Sequence, residues 1–184
     1  YEDFFTGDVT VTANLINAGV EATTASFRAP AVYATKGVDG SDMDWTITRF
    51  ALLDLDGDGA DELVLNIDYS GEEEYVILTC YDGAVYANQV VYRGFLSPKA
   101  DGTFEWSNGA FDNGASRARF ENGVLVYDDF AAISEGSDGN TVYTLNGESI
   151  DEAAYSAFLD EQAAKDDLAW TEFSVDAVNA ALAG

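Results

Sequence analysis

The sequence predicts an α+β domain in which an antiparallel β-meander sheet carries a short N-terminal helix and C-terminal helices packed on it. Two observations favour this fold class. Segments rich in branched and aromatic residues fill the middle of the chain, and segments with helical periodicity follow them. The length of 184 residues suits one domain, and no Pro-rich or Ser-rich linker divides it. We therefore expect residues 1–184 to form a single domain.

The N-terminal part of the chain gives the weakest signals. Residues 1–7, YEDFFTG, are typical of a short helical turn that ends at Gly7, because glycine commonly terminates helices. The DVTVTA segment that starts at Asp8 is a candidate strand. The remainder of residues 8–40 is rich in Ala, Thr and Gly, and its weak periodicity predicts no defined element.

Strands are predicted from Trp45 onward. Residues 45–56 and 62–69 are rich in branched and aromatic side chains, which favour strands. In the second segment two sets of side chains alternate, which predicts one buried face: Leu63, Leu65, Ile67 and Tyr69 on that face, and Val64, Asn66 and Asp68 on the other.

Two Asx-Gly pairs predict hairpins. Asp82-Gly83 separates EYVILTCY from AVYANQVVY, and Asn122-Gly123 separates SRARFE from VLVYDDF. Both pairs suit a type I′ turn, since Asn, Asp and Gly tolerate the positive φ angles that this turn requires. GTFEW and NTVYTLNG are predicted to add further strands before the chain becomes helical.

The C-terminal residues predict two helices. Ser149 and Glu152 form a capping-box pattern at the start of the first helix. Its apolar spacing predicts a buried face made by Tyr155, Phe158, Leu159 and Ala163. Ser174 is the predicted N-cap of the second helix, with inward-facing residues at Val175, Val178 and Leu182.

The charge balance narrows the classes of partner. Asp and Glu number 34 against 8 Lys and Arg, which gives a net charge of −26. Such a surface repels nucleic acid and anionic membranes, so we expect neither as a partner. It suits divalent cations and neutral ligands. A salt-adapted source would show the same balance, because high ionic strength screens the repulsion between like charges.

The absence of histidine and the presence of one cysteine exclude several chemistries. Without histidine the chain cannot form Ser-His-Asp or Cys-His catalytic sites, and zinc sites of the usual composition are not expected. Cys80 lies in the apolar run EYVILTCYDG, so we expect a buried free thiol and not a nucleophile.

The stretch LLDLDGDGADELVL carries the strongest functional signal. Counted from Asp54, carboxylates occupy positions 1, 3 and 5 through Asp54, Asp56 and Asp58, and a glycine at position 6 permits a sharp turn. Ala60 at position 7 offers its carbonyl, and Glu62 at position 9 offers a further carboxylate. Ca²⁺ takes six to eight oxygen ligands, which alternate residues of a tight turn can direct to one centre. The spacing therefore predicts a calcium site formed by these five residues.

The predicted site differs from a helix-flanked EF-hand. Leu65 stands at position 12, where that motif has a bidentate Glu, and the flanking segments are predicted strands. Positions 1–5 alone resemble dockerin loops, whereas a strand-flanked loop with an acid at position 9 resembles the calcium loops of integrin-type β-propellers. A solvated Asp-Gly turn without a metal is the alternative interpretation. Magnesium is less favoured than calcium, because it retains its waters and takes few protein carboxylates.

The loop and its surroundings together resemble a group of uncharacterised secreted lipoproteins from Gram-positive gut bacteria. The shared form, as in FALLDLDGDGADELVL, is an apolar strand, an Asp-x-Asp-Gly-Asp-Gly loop, and then xEL and another strand. YEDFFTG, YDGAVY, DGTFEW and YTLNGESIDEAAYSAFL extend the similarity, whereas Asp61 replaces the proline that often precedes EL. The resemblance implies an extracellular or cell-surface-anchored calcium-binding domain, attached to a membrane only through an N-terminal lipid anchor outside this chain. It supplies no activity.

Together these features favour a monomer with a structural Ca²⁺ and a binding or cell-surface interaction role, its extracellular ligand being an unidentified protein or carbohydrate. The alternative is a carbohydrate-active hydrolase with a carboxylate pair, since glycosidases place two acids across the scissile bond. The candidate pairs are Asp42 with Asp44, Glu72 to Glu74, and Asp128 with Asp129. A purely structural module of a larger surface protein is a third interpretation.

Two further pairs of side chains share a strand face. Arg117 and Arg119 are expected to pair with carboxylates on neighbouring strands, although an anionic ligand would also suit them. Phe104 and Trp106 are expected to pack in the core, and a sugar-stacking surface is the less favoured interpretation.

Overall fold

A computed structural model describes residues 10–15, 23–26, 32–36, 42–69, 71–90 and 93–183 of the chain. The predicted helix at residues 1–7 lies outside these residues. The described residues form thirteen strands and two helices. The strands are β1 (Thr10–Leu15), β2 (Thr23–Ser26), β3 (Val32–Lys36), β4 (Asp42–Leu53), β5 (Glu62–Tyr69), β6 (Glu72–Tyr81), β7 (Ala84–Val90), β8 (Thr103–Gly109), β9 (Asp112–Glu121), β10 (Val124–Glu135), β11 (Thr141–Leu145), β12 (Glu148–Ile150) and β13 (Thr171–Glu172). The helices are α1 (Glu152–Ala163) and α2 (Val175–Leu182).

The strands form two sheets, not the single sheet expected from the sequence. The first sheet has the order β13-β4-β5-β6-β7-β1-β2, and β3 also pairs with β4. The second sheet has the order β12-β11-β10-β9-β8. Among the described strands the pairing is antiparallel apart from that of β1 with β7. The fold is thus β-rich, with mostly antiparallel sheets and two short helices.

Three hydrophobic clusters stack the elements in the order α2, first sheet, second sheet, α1. The cluster around Phe50, Leu65 and Val178 joins the first sheet to α2. A second cluster lies between the sheets and joins residues of β5, β6 and β7 to residues of β8, β9 and β10. The third cluster joins the outer face of the second sheet to Tyr155 of α1. The first sheet is therefore covered on both faces.

Strand β5 is buried on both faces, which differs from the half-buried strand predicted from its alternation. Leu63, Leu65 and Ile67 face the cluster with α2, while Val64 faces the second sheet. Asn66 is also buried, with only 2% of its surface exposed. The alternation of side chains exists, but both faces have a partner layer, because the chain forms two sheets and not one.

The Asx-Gly hairpins are confirmed, and a third one is present. Asp82-Gly83, Asn122-Gly123 and Asn146-Gly147 each have two consecutive positive φ angles, between 48° and 82°. This is the geometry of a type I′ turn. These pairs join β6 to β7, β9 to β10, and β11 to β12 respectively.

The tip of the β9–β10 hairpin docks on the first sheet. Asn88 of β7 is fully buried and donates from its amide to the carbonyl of Gly123 at 3.0 Å. Its carbonyl oxygen accepts from the N–H of Leu125, also at 3.0 Å. The ring of Tyr86 lies so close to Gly123 that a Cβ added there would be 2.4 Å from the ring. The two sheets are therefore joined by hydrogen bonds between the Asn88 side chain and the backbone of the hairpin, as well as by apolar packing.

Helix α1 starts later than predicted, and its inner face matches the prediction at Tyr155 and Phe158 but not at Leu159 and Ala163. Ser149 lies in β12, and Asp151 is the N-cap, with its carboxylate accepting from the N–H of Ala154 at 2.8 Å. Tyr155 and Gln162 are buried, whereas Leu159 and Ala163 are exposed. Both differences correct the sequence prediction: a three-residue strand uses the residues assigned to the cap, and polar Gln162 takes the inner position.

Helix α2 begins as predicted. Ser174 is the N-cap and accepts from the N–H of Ala177 at 3.1 Å. Val178 is fully buried and Val175 is half-buried, but Leu182 in the last turn is exposed. Neither described helix is long and apolar enough to cross a membrane.

Cys80 is exposed, which corrects the expectation of a buried thiol. The pairing of β6 with β5 extends from Tyr69–Glu72 to Leu63–Leu78 and stops there. Cys80 lies beyond this point, near the tip of the β6–β7 hairpin, where the sheet is narrower. The apolar run therefore extends beyond the part of β6 that pairs with β5, and Cys80 lies in this exposed extension.

Candidate metal centre

The acidic loop joins β4 to β5, two central strands of the first sheet. These strands pair antiparallel from Thr46–Asp68 to Leu53–Glu62, so the loop begins where the ladder ends. Gly57 and Gly59 have φ angles of 79° and 91°, a region that side-chain-bearing residues avoid. The alternating glycines allow the backbone to turn tightly enough to place neighbouring acids on one side.

The structure brings Asp54, Asp56 and Asp58 together. One carboxylate oxygen from each lies within 4.8 Å of the others. Asp56 and Asp58 are exposed, and Asp54 is half-buried at the base of the loop. Oxygen atoms at this spacing can contact one hard cation at the ~2.3–2.6 Å distances that calcium takes, because opposite ligands of such an ion are about 4.6–5.2 Å apart.

Backbone N–H groups of the loop hold the three carboxylates in place. Asp54 accepts from Gly57 at 2.8 Å through Oδ1 and from Gly59 at 3.0 Å through Oδ2. Asp56 accepts from the N–H of Asp58 at 3.1 Å, and Asp58 accepts from that of Ala60 at 2.7 Å. Each bond uses one lone pair and leaves others available, since a carboxylate offers about four acceptor sites.

The pKa of Asp56 is raised above its usual value. Partial burial is the largest cause, and the negative charges of Asp58 and Asp54 add to it. The hydrogen bond from the N–H of Asp58 acts in the opposite direction. The loop therefore carries an electrostatic penalty that a cation between the carboxylates would remove.

Glu62 is placed differently from the three aspartates. It is only 3% exposed and lies outside the group of converging carboxylates. Its Oε2 accepts from the N–H of Leu55 at 3.0 Å, and its Oε1 accepts from the hydroxyl of Thr79 at 3.0 Å. Glu62 thus ties the second residue of the loop to strand β6.

The pKa of Glu62 is raised to about 7. Burial is the main cause, and the hydrogen bonds from Leu55 and Thr79 oppose it. The negative charges of the nearby aspartates raise it further. The buried carboxyl at the base of the loop is therefore sensitive to the charge that the loop carries.

The remaining predicted loop residues are at the surface. Ala60 is exposed, and its carbonyl stays a predicted ligand. Asp61 is exposed, as expected. Asp68 accepts from the N–H of Gly71 at 3.2 Å at the opposite end of β5, so it does not join the loop.

Two contacts at the base of the loop were not predicted. Thr79 reaches Glu62 because β5 and β6 pair in a register that places Leu63 opposite Leu78. Gly102, with φ of 79°, lies so close that an added Cβ would be 3.3 Å from the carbonyl oxygen of Leu55. In the sequence, the one available sign of this contact is that Thr79 is a polar residue near the end of the apolar β6 run.

Among the residues whose side chains the structure describes, the other candidate acidic pairs are not part of the converging group of carboxylates. Asp128 and Asp129 are consecutive in β10, where side chains alternate between faces, and Asp129 accepts from Ser116. Glu73 pairs with Arg49 at 2.9 Å. The side chains of Asp42 and Asp44 lie outside the described part of the structure.

The structure corrects the expectation that Arg117 and Arg119 pair with carboxylates on neighbouring strands. Arg119 pairs with Glu121, two positions along the same strand, and Arg117 lies over the ring of Phe130 at 5.4 Å. Phe104 is fully buried between the sheets, as expected, and Trp106 is half-buried.

Comparisons with protein-family models, with curated proteins and with solved structures found no match for the chain.

Proposed function

We propose that the chain is an extracellular calcium-binding domain in which one Ca²⁺ ion rigidifies the loop between β4 and β5. The observation that supports this most is the convergence of the Asp54, Asp56 and Asp58 carboxylates within 4.8 Å. The carbonyl of Ala60 completes the set from the backbone. Glu62 acts at position 9, where calcium loops often bind through a water, which suits a carboxylate already hydrogen-bonded on both oxygens.

The physical reason for this role is charge compensation. Two like charges ~4 Å apart near a protein surface repel by up to about 4 kcal/mol, so a loop with three converging carboxylates is under tension without a cation. A bound Ca²⁺ converts this repulsion into attraction and holds β4 and β5 in register. Calcium sites of extracellular modules have Kd values of about 10⁻⁴–10⁻³ M, which matches the weak, solvent-exposed geometry of this loop.

The role we propose for the domain is ligand binding or cell-surface interaction and not catalysis. The ion lies at the end of a strand that is buried on both faces, so its effect is to stabilise the central sheet. The chain contains no histidine, which removes the commonest general base. Among the described residues, the group of three acids that converges is that of the loop, a geometry that suits a cation.

Calcium titration tests the proposal. At a free Ca²⁺ concentration about 100-fold above Kd, mass action stabilises the folded state by about 2.7 kcal/mol. For a chain of this length we expect the Tm to rise by roughly 5–10 °C and to return when EGTA is added. Mg²⁺ at the same concentration should have a smaller effect, because it retains its waters.

Matched variants separate the loop from the general acidity of the surface. Asp56→Asn and Asp58→Asn should each lose most of the calcium-dependent shift. Asp138→Asn is the control, because Asp138 also lies in an Asp-Gly turn and accepts from the N–H of the second residue beyond it. A Tm that EGTA does not change, or an equal loss in the Asp138 variant, would contradict the proposal.

A further inference from the structure

A pocket of about 350 Å³ lies away from the acidic loop. Its walls come from β4 and β6 of the first sheet, from the segment before β8, and from the segment between α1 and β13. Its volume falls at the lower end of the ~300–1,000 Å³ range of small-molecule sites. None of its lining residues belongs to the predicted calcium loop, so it is a separate place in the fold.

One wall of the pocket is aromatic and fixed in position. Trp170 is half-buried, and the guanidinium of Arg49 lies 4.8 Å from the centre of its ring. The ring of Tyr75 stacks with Trp170 at 6.0 Å and an interplanar angle of 28°. Cation–π and stacking contacts therefore hold the indole in one orientation before any ligand arrives.

The charged groups of the pocket form two internal pairs. Arg49 contacts Glu73 at 2.9 Å, and Lys99 contacts Asp167 at 2.6 Å. The side chain of Lys99 is only 6% exposed, whereas that of Asp167 is 80% exposed. The ammonium of Lys99 is also within 3.4 Å of the carbonyl oxygens of Ala163 and Lys165, which uses all three of its donors. Lys99 therefore fixes Asp167, while Arg49 and the two carboxylates face the pocket.

This balance of charge selects the kind of ligand. An anionic ligand would be repelled by Glu73 and Asp167, and a cationic ligand would be repelled by Arg49. A zwitterion would have to compete with two short ion pairs that already exist. Hydroxyl groups can bond to the paired groups without separating them, since guanidinium has five N–H donors and each carboxylate has about four acceptor sites.

We propose that this pocket binds a neutral saccharide, with its apolar C–H groups against the part of Trp170 that lines the pocket and its hydroxyls bonded to Arg49, Glu73 and Asp167. Ser97 adds a hydroxyl at the rim and has a φ of 47°, a conformation uncommon outside glycine that costs backbone energy and is found disproportionately at binding sites. A neutral ligand also avoids the long-range repulsion that a chain of net charge −26 exerts on anions. The inference gives a ligand class to the binding role proposed above, and rests on that role but not on the calcium loop.

Saturation-transfer NMR on the full chain tests the inference. The probes are glucose, galactose, mannose, N-acetylglucosamine and their disaccharides, each titrated to ~50 mM, because a small ligand with few contacts is expected to bind with a millimolar Kd. We expect saturable binding of at least one probe, both with calcium and in EGTA. Failure of the calcium proposal would appear as an unchanged Tm in EGTA, so the two proposals fail in different measurements.

Two variants and one control locate the binding. Trp170→Ala should weaken sugar binding by at least about tenfold, because it removes the indole that lines the pocket and that holds Tyr75 and Arg49 in place. Arg49→Lys keeps the charge and the pair with Glu73 but loses the planar fork, so it should weaken binding several-fold even if the Trp170 variant does not fold. Trp106→Phe, in β8 outside the pocket, should bind as the unmodified chain does.

Three outcomes would overturn the inference. The first is the absence of binding to every sugar in the panel. The second is sugar binding that persists unchanged in both pocket variants. The third is saturable binding of glycine or another free amino acid in place of sugars, which would assign the pocket to a zwitterion.

Discussion

Substitution of Gly123 by alanine tests whether the β9–β10 turn is a contact between the sheets or only a chain reversal. Gly123 has a φ of 82°, and a Cβ added there would be 2.4 Å from the ring of Tyr86. Gly147 occupies the same position of a type I′ turn with a φ of 80°, but a Cβ there meets nothing within 4 Å. Alanine would therefore meet the same backbone strain at both positions, which differ only in their surroundings.

The expected cost follows from these two terms. Alanine in the left-handed region costs ~1–2 kcal/mol, and Gly147→Ala should show this cost alone. Gly123→Ala adds overpacking of about 1–3 kcal/mol, because the atoms that Cβ would meet are near the base of the Tyr86 ring and not at a flexible tip. We therefore expect a total of about 2–5 kcal/mol for Gly123→Ala, which corresponds to a Tm lower by roughly 4–20 °C.

Urea unfolding of both variants at pH 7 measures the difference. The slope of the free energy of unfolding against urea should stay constant, so that the midpoint reports stability. Adding Tyr86→Ala to each variant completes a double-mutant cycle, and the excess cost at Gly123 should disappear when the ring is removed. Equal costs for Gly123→Ala and Gly147→Ala would refute the close contact between the sheets.

The raised and lowered pKa values of two carboxyls give opposite pH dependences. The folded pKa of Glu62 is about 7 against 4.5 unfolded, so in EGTA its stabilising effect is complete below pH 4.5 and is lost as pH rises through 7. This shift corresponds to at most about 3 kcal/mol. Glu62→Gln should therefore be more stable than the unmodified chain at pH 8 but not at pH 4.5, and Glu161→Gln at an exposed site of α1 is the control. Partial burial raises the pKa of Asp101, but hydrogen bonds from Lys165 and Thr103 outweigh it and lower that pKa to about 2, so this stabilisation is present above pH 3.8 and is lost as pH falls through 2. Because the side chain is 46% exposed, Asp101→Asn should cost only about 1 kcal/mol at pH 7, measured by urea unfolding, and an equal cost at pH 2 would contradict the ion pair.

Local features of the fold could be predicted where a short sequence determines the geometry. Asn122-Gly123 and Asp82-Gly83 form the expected turns because few other residue pairs accept two positive φ angles in succession. Ser174 caps α2 because its hydroxyl satisfies a nearby N–H without help from the rest of the chain. Such features depend on residues that are close in sequence, so the sequence alone is enough to predict them.

Features that depend on partners distant in sequence could not be predicted. The alternation in β5 is the same whether one face or both are covered, so the second sheet that packs on Val64 was not foreseen. Asp151 and Ser149 are both good N-caps, and pairing of β12 with β11 decides between them. Gln162 is buried in α1 because Thr103 accepts a hydrogen bond from its amide at 2.8 Å, a contact that only the fold creates.

The candidate metal centre shows the same division. The spacing of Asp54, Asp56 and Asp58 predicted three carboxylates that could converge, and they do. The environment of Glu62 could not be derived from the loop, because it depends on the register of β6, which brings Thr79 to its carboxylate. A tight turn positions its own carboxylates, whereas the position of the strand that follows is set by its pairing in the sheet.

The last elements of the chain complete a layer that was begun near its start, and this sets an order for folding on the ribosome. Thr171 of β13 pairs with Phe50 of β4, and Val178 of α2 packs into the cluster that contains Phe50 and Leu65. These early residues leave the exit tunnel long before their cover is synthesised. One face of the first sheet therefore stays exposed to water during elongation. Its burial by α2 is a late step that depends on contacts between residues distant in sequence, and such contacts form slowly. The second sheet and α1 are contiguous in sequence, so they can pack together as soon as they have been synthesised.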